Sequence, residues 1–198
     1  MIDEHRPHEG PGYRSDGHQR IAIMGYSHHG EPASDSADKT IDVLSDVIAG
    51  NHPPTQFFHQ IAEYFGNDGD RFWEKVAFFN FAPRAIGDSD QKHRDLDEQE
   101  LREARDRFLA LLEVLQPDLL FVFTRKGWNN LPKSEEDQRG TSGREIIAGE
   151  QFDRHHYRLE NGKVVQAFGL RHPERATKSV MIAAVTAALQ MEADPPTA

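Results

Sequence analysis

The chain has 198 residues, no cysteine, and 33 acidic against 23 basic side chains, for a formal charge of −10. That length fits one domain with a sizeable core. The lack of cysteine excludes disulfides, thiolate metal sites and cysteine nucleophiles, and fits a reducing cytoplasm. No apolar run reaches the length of a membrane-spanning helix, and the polar opening segment does not read as a secretory signal. The acidic balance argues against salt-driven coating of nucleic acid, although residues 154–178 hold six Arg and Lys against two Glu.

In chain order, residues 1–19 are rich in Gly, Pro, His and charge, and predict a disordered N-terminal arm. Ile21–Met24 is a short apolar run without polar alternation, as expected of a strand buried on both faces. Asp38 then caps a helix carrying Ile41, Leu44 and Ile48, with Gly50 just past its end. A second helical pattern carries Phe57, Ile61 and Phe65. Val76–Phe81 is a second buried strand, followed by a polar loop over 82–97. Glu98–Leu115 places Leu101, Ala104, Phe108, Leu111, Leu112 and Leu115 on one helical stripe, and Pro117 stops it. Leu119–Phe123 is a third strand, and Arg125–Gly127 opens a short helix whose N-terminus favours anions. A long polar loop is expected over 132–152. Asn161-Gly162 between extended segments signals a type I′ hairpin, Tyr157–Glu160 to Lys163–Gln166, leading into a fourth strand, Val164–Leu170. A last helix spans about 174–191, and residues 192–198 form a frayed tail. Strands alternating with helices imply an α/β domain over residues 20–191, with a mainly parallel sheet, helices on both faces and a hairpin at one edge.

Ligands of such sheets bind beyond the carboxyl ends of the strands. The four ends read Gly25-Tyr26-Ser27-His28-His29-Gly30-Glu31, Asn80 to Arg84, Thr124 to Trp128, and Gly169 to Arg175. The Asn80 amide can both donate and accept, as a base edge requires. His172 can donate to an oxygen that gains negative charge. Tyr26, Phe79, Phe81 and Trp128 can stack on a flat ring, and Arg125, Lys126, Arg171 and Arg175 can contact phosphates. Each has an ordinary structural alternative. Asn80 can cap a turn, His172 can orient the loop before Pro173, Tyr26 can plug the edge of the core, and Trp128 reads first as packing. Adjacent His28 and His29 diverge in extended chain and no third ligand sits at matched spacing, so no metal is expected. Glu135-Glu136-Asp137 and the acidic stretch 95–100 read as solvated faces. Nothing in the sequence signals a cofactor or an oligomeric state.

The four segments GYSHHGE (25–31), FFNFAPRAIG (78–87), LQPDLLFVFTRKGWNNLP (115–132) and FGLRHPERA (168–176) resemble, in order and spacing over residues 20–190, the uracil-DNA glycosylase superfamily. The likeness is greatest to a bacterial branch in which a strand ends in Gly-Glu-Ser-His-Tyr-Gly. The resemblance implies a three-layer α/β/α sandwich around a four-stranded, mainly parallel sheet, and cleavage of the N-glycosidic bond of a base flipped out of DNA. The base-binding candidates are Gly25, Tyr26, Phe79, Asn80 and Phe81; the resemblance implies that Asn80 reads the Watson–Crick edge and that an aromatic stacks on the base, at a position its motifs do not fix. His172 would stabilise the departing base, and the loop holding Ser27 and His28 would position water. Arg171 and Arg175 would grip the DNA or nucleotide, with Arg125 and Lys126 as further phosphate-binding candidates from their place after the third strand. Two departures stand out. Tyr26 and Ser27 occupy the places where the family has its water-orienting acid, so Glu31 or His28 would have to substitute. Glu174 replaces the Ser of the family's His-Pro-Ser loop, opposing phosphate. The alternative to a glycosylase is therefore a module that binds a base or nucleotide without cleaving it. The plainest alternative is an α/β protein acting through protein contacts of its long loops.

Overall fold

Seven strands are formed: β1 (His8–Glu9), β2 (Ile21–Gly25), β3 (Ala77–Asn80), β4 (Leu119–Val122), β5 (Ser142–Ile147), β6 (Glu150–Arg158) and β7 (Val164–Gly169). The computed structural model that supplies them describes residues 4–28, 35–51, 56–66, 70–86, 95–132, 142–147 and 149–191. The strands make one sheet in the order β1-β3-β2-β4-β7-β6-β5. The inner four, β3-β2-β4-β7, are parallel, while β1 at one edge and β6 and β5 at the other are antiparallel to their neighbours. Five α-helices lie among the described residues: α1 (Lys39–Ile48), α2 (Gln56–Tyr64), α3 (Glu98–Leu115), α4 (Arg125–Asn130) and α5 (Lys178–Gln190). The protein is mixed α/β, as the alternation of elements predicts, but its sheet has seven strands and not four.

The inner strands are apolar on both faces because both are covered. Strand side chains alternate between faces. Ile23, Phe78, Leu119, Phe121 and Phe168 join a core with Leu44 of α1, Ile61 of α2 and Val185 of α5. Ala22, Met24, Phe79, Leu120, Val122 and Ala167 join the other, with Ala104, Phe108, Leu112 and Leu115 of α3. Fully burying each of these large side chains contributes about 1.5–3 kcal/mol. α3 begins with a complete capping box: Asp97 accepts from the Gln99 and Glu100 N–H groups, and Glu100 accepts from the Asp97 N–H at 3.0 Å. It ends at Gln116, in the left-handed region at φ 47°, before Pro117. Among the described residues, no helix is long and apolar enough to cross a membrane.

Four expectations about the elements need correction. The first is the disordered arm. From residue 4 onward it is a strap laid across the domain, with residues 1–3 outside the described range. β1 pairs with β3, His8 Nε2 donates to the Trp73 carbonyl at 3.0 Å, and the buried Tyr13 hydroxyl donates to Leu115 O at 3.1 Å. A side chain on Gly10 would run into the Glu74 carbonyl, so its glycine allows the close approach. Composition counts Gly, Pro and His as signs of disorder, but long-range partners tie the segment down. The second is the loop 132–152, which contains β5 and the start of β6. β5 is a polar edge strand with Arg, Glu and an exposed Ile146, so it lacks the alternation that marks a strand. The third is the hairpin turn. It exists, but only Gly162 has positive φ (85°), and Gly162 N donates to Leu159 O. This is a type I turn followed by a left-handed glycine, not type I′, which needs positive φ at two successive residues. The final helix also starts later than expected, at Lys178, after a 3-10 turn at Pro173–Arg175. The tail 192–198, His29, Gly30, Glu31 and the acidic run 135–137 lie outside the described residues.

Candidate functional site

Because the inner strands are parallel, Gly25, Asn80 and the segments after Val122 and Gly169 all leave the same edge of the sheet. In register, Gly25 faces Asn80 across β2 and β3. Asn80 follows Phe78 by two residues, so its side chain lies on the same face as Phe78, the one covered by α1, α2 and α5. A methyl group on Gly25 would collide with Asn80 Oδ1 and come within 3.3 Å of the Phe78 ring. Gly25 is thus the space into which the Asn80 amide lies. Asn80 itself is 3% exposed, and its carbonyl accepts from Arg107 Nη1 at 2.9 Å.

His172 reaches this face from β7. Its ring packs on Phe57 of α2, with centroids 5.2 Å apart, and Phe57 in turn meets Phe78 at 6.2 Å. Asn80 and His172, 92 positions apart in the chain, therefore lie on one face and are linked through two aromatic rings. His172 Nδ1 accepts from the Glu174 N–H at 3.4 Å, an interaction that leaves the ring proton on Nε2. Burial pushes the imidazole below its ordinary value, and Arg175 pushes the same way against Glu174. A neutral ring with an Nε2–H donor is the form suited to hold an anionic oxygen.

The expected stacking aromatics are on the other face. Phe79 is fully buried against Phe108, and Phe81 is buried in the α3 core, with Tyr26 stacked beside it at 6.4 Å. Alternation explains this: residues 79 and 81 are odd neighbours of Asn80 and point away from it. These three are packing residues that stand apart from the Asn80 amide. The Tyr26 phenol is raised by burial, and Lys126 Nζ sits 4.7 Å from its ring centroid. Trp128 also packs, lying where any side chain at Gly169 would have to go: a Cβ there would be 2.5 Å from Trp128 Cδ2.

The cationic candidates divide in the same way. Arg171 and Arg175 are exposed beside His172. Arg125 pairs with Asp153 at 3.0 Å and Lys126 with Asp95 at 2.7 Å, so carboxylates already neutralise the cations after β4. A separate cavity of about 630 Å³ opens between α4 and the β5–β6 hairpin, lined by Trp128, Leu131, Arg144, Asp153, His155 and Tyr157.

Ser27 is partly exposed in the loop after β2, and His28 Nε2 lies 2.9 Å from Thr40 Oγ1. The His28 ring also meets His5 edge to face, with centroids 5.4 Å apart. His5 Nε2 lies 2.5 Å from Asp35 Oδ1, and Asp35 Oδ2 accepts from the Ala85 N–H at 3.0 Å. Both side chains of this pair are buried, at 0% and 2% exposure. Arg107, buried in α3, donates to the carbonyls of both Asn80 and His5, and burial lowers its guanidinium to about 10, leaving it charged at neutral pH.

Phe57, His5 and Asp35 were not singled out from the sequence. Phe57 could have been found as the first aromatic of a helix that packs over the end of β3. His5 and Asp35 carry no local signal, because their meaning comes from a contact thirty positions apart. No protein-family model matches this chain, and no curated protein matches it.

Proposed function

We propose that the protein binds a flat nucleobase beyond the ends of β2, β3 and β7 and hydrolyses its N-glycosidic bond in DNA, in the manner of the uracil-DNA glycosylases it resembles. The observation that supports this reading is one sheet face that holds both the Asn80 amide and the His172 imidazole, linked through the Phe57 and Phe78 rings. In this reading Asn80 Oδ1 and Nδ2 pair with the base edge, Phe57 supplies the stacking surface, and His172 Nε2–H holds the oxygen of the departing base. Arg171 and Arg175 contact the flanking phosphates. The helices over the two faces are taken as the outer layers of a three-layer sandwich, and the protein acts in the cytoplasm.

Binding without cleavage is the second reading. It draws on the lack of an acid at Tyr26 and Ser27 and on the carboxylates that hold Arg125 and Lys126. A strand-scission assay on oligonucleotides containing uracil, hypoxanthine or xanthine separates the two. Cleavage that is lost in Asn80→Ala, and reduced about 100-fold or more in His172→Ala, supports the glycosylase reading. Cleavage that persists unchanged in both variants removes these assignments. Lesion-dependent binding with no product favours the second reading.

A further inference from the structure

We infer that His5 and Asp35 form a catalytic dyad that takes a proton from the attacking water, filling the role for which the loop after β2 has no acid. This rests on the reading of the site proposed above. The dyad sits over the ends of β2 and β3. The His5 N–H donates to Pro83 O at 2.7 Å in the segment after β3, and the His5 carbonyl shares the Arg107 guanidinium with the Asn80 carbonyl. Its ring also touches His28 in the loop after β2. Residues that meet only through folding have brought a carboxylate and an imidazole to the place where Tyr26 and Ser27 supply neither.

The protonation pattern follows from the partners. The Asp35 carboxylate can only accept from His5, so the ring hydrogen lies on Nε2 and the lone pair on Nδ1. His5 Nδ1 is buried and has no hydrogen-bond partner among the described residues. A buried acceptor in that state is destabilising unless a donor reaches it. A water O–H is the donor the site would take. Asp35 is itself held by the Ala85 N–H, so the imidazole is oriented from behind. A carboxylate fixing the tautomer of a histidine that then accepts a proton is the logic of acid–base triads.

The step balances within the site. Water gives a proton to His5 Nδ1, and its oxygen bonds to the anomeric carbon as the C–N bond breaks. The electron pair of that bond leaves with the base, whose oxygen takes the His172 Nε2–H hydrogen bond. The proton on His5 then passes to the released base through solvent. The imidazolium formed in between is stabilised by the Asp35 carboxylate.

The test uses the full chain, the three lesion-containing oligonucleotides, and counterparts with fluorine at the 2′ position of the lesion sugar, which slows cleavage. His5→Gln and Asp35→Asn are expected to bind the fluorinated strands within about threefold of wild type, and so to be folded, while single-turnover cleavage falls about 100-fold or more. Nitrogen NMR of wild-type His5 is expected to show the proton on Nε2. Wild-type cleavage rates in His5→Gln, or a proton resident on Nδ1, overturn the dyad. If Asn80→Ala abolishes cleavage while His5→Gln does not, the dyad fails and the function stands. If the wild-type protein neither binds nor cleaves any of the strands, both fail together.

Discussion

The two faces of the sheet at the ends of β2 and β3 have nearly the same neighbours along the chain and opposite surroundings. Phe79 and Phe81 point to the α3 face and are sealed in its core, whereas Asn80, between them, points to the α1–α2–α5 face, where Gly25 leaves room for its amide. The amide proposed to meet the ligand is flanked by two rings buried in the core. Direction, set by the two-residue period of the strand, decides which is which.

This contrast can be broken from either side. The largest effect is expected on the packing face. Phe79→Ala should cost about 3–5 kcal/mol in denaturant or thermal unfolding, because it removes a fully buried ring packed on Phe108 and leaves a cavity in the core. The affinity of the molecules that remain folded for a fluorinated lesion strand should not change. Lost affinity in fully folded Phe79→Ala would mean the faces are not independent.

Acid is expected to give the next largest difference between the two faces. His155 on β6 pairs opposite Ala167 on the α3 face, is 4% exposed, and is lowered by burial to about 4. His172, on the other face, is part-exposed. Folding keeps His155 neutral while the unfolded chain takes up its proton near pH 6.5. Stability is therefore full above that value and declines as pH falls toward 4, by up to about 3 kcal/mol from this residue. His155→Gln should flatten that part of the stability–pH curve. A curve that keeps its full slope would place the acid sensitivity elsewhere, His8, His156 and His172 being the other histidines lowered by burial.

The smallest effect is the most local. Gly25→Ala should leave the fold near its wild-type stability but push the Asn80 amide out of place, reducing affinity for a fluorinated lesion strand about 10-fold, or about 1.4 kcal/mol. Unchanged affinity would mean that the Asn80 amide does not read the ligand from this position.

Much of the frame was legible in the sequence. The unbroken apolar runs around Ile23, Phe78 and Phe121 mark doubly covered strands, and the apolar stripe stopped by Pro117 predicts Glu98–Leu115 to the residue, although the acidic stretch read as a solvated face turns out to hold its capping box. The strand-end rule also leads to Gly25, Asn80 and His172. What escaped the sequence depends on direction or on distance. Phe79 and Phe81 look as suitable for stacking as Phe57 does, and only the alternation of faces separates them. β5 hides because an edge strand is polar. The strap at residues 4–13 hides because its anchors, Trp73 and Leu115, are at least 65 positions away.

The strap has a cost if it is lost. β1 covers the outer edge of β3, whose four residues are all buried. A protease cut after Tyr13 would strip that cover and leave a flat row of unsatisfied peptide groups beside an aromatic cluster. Such an edge invites pairing with the same edge of another molecule. The clipped protein should self-associate more than the intact chain, and do so before it loses its helices.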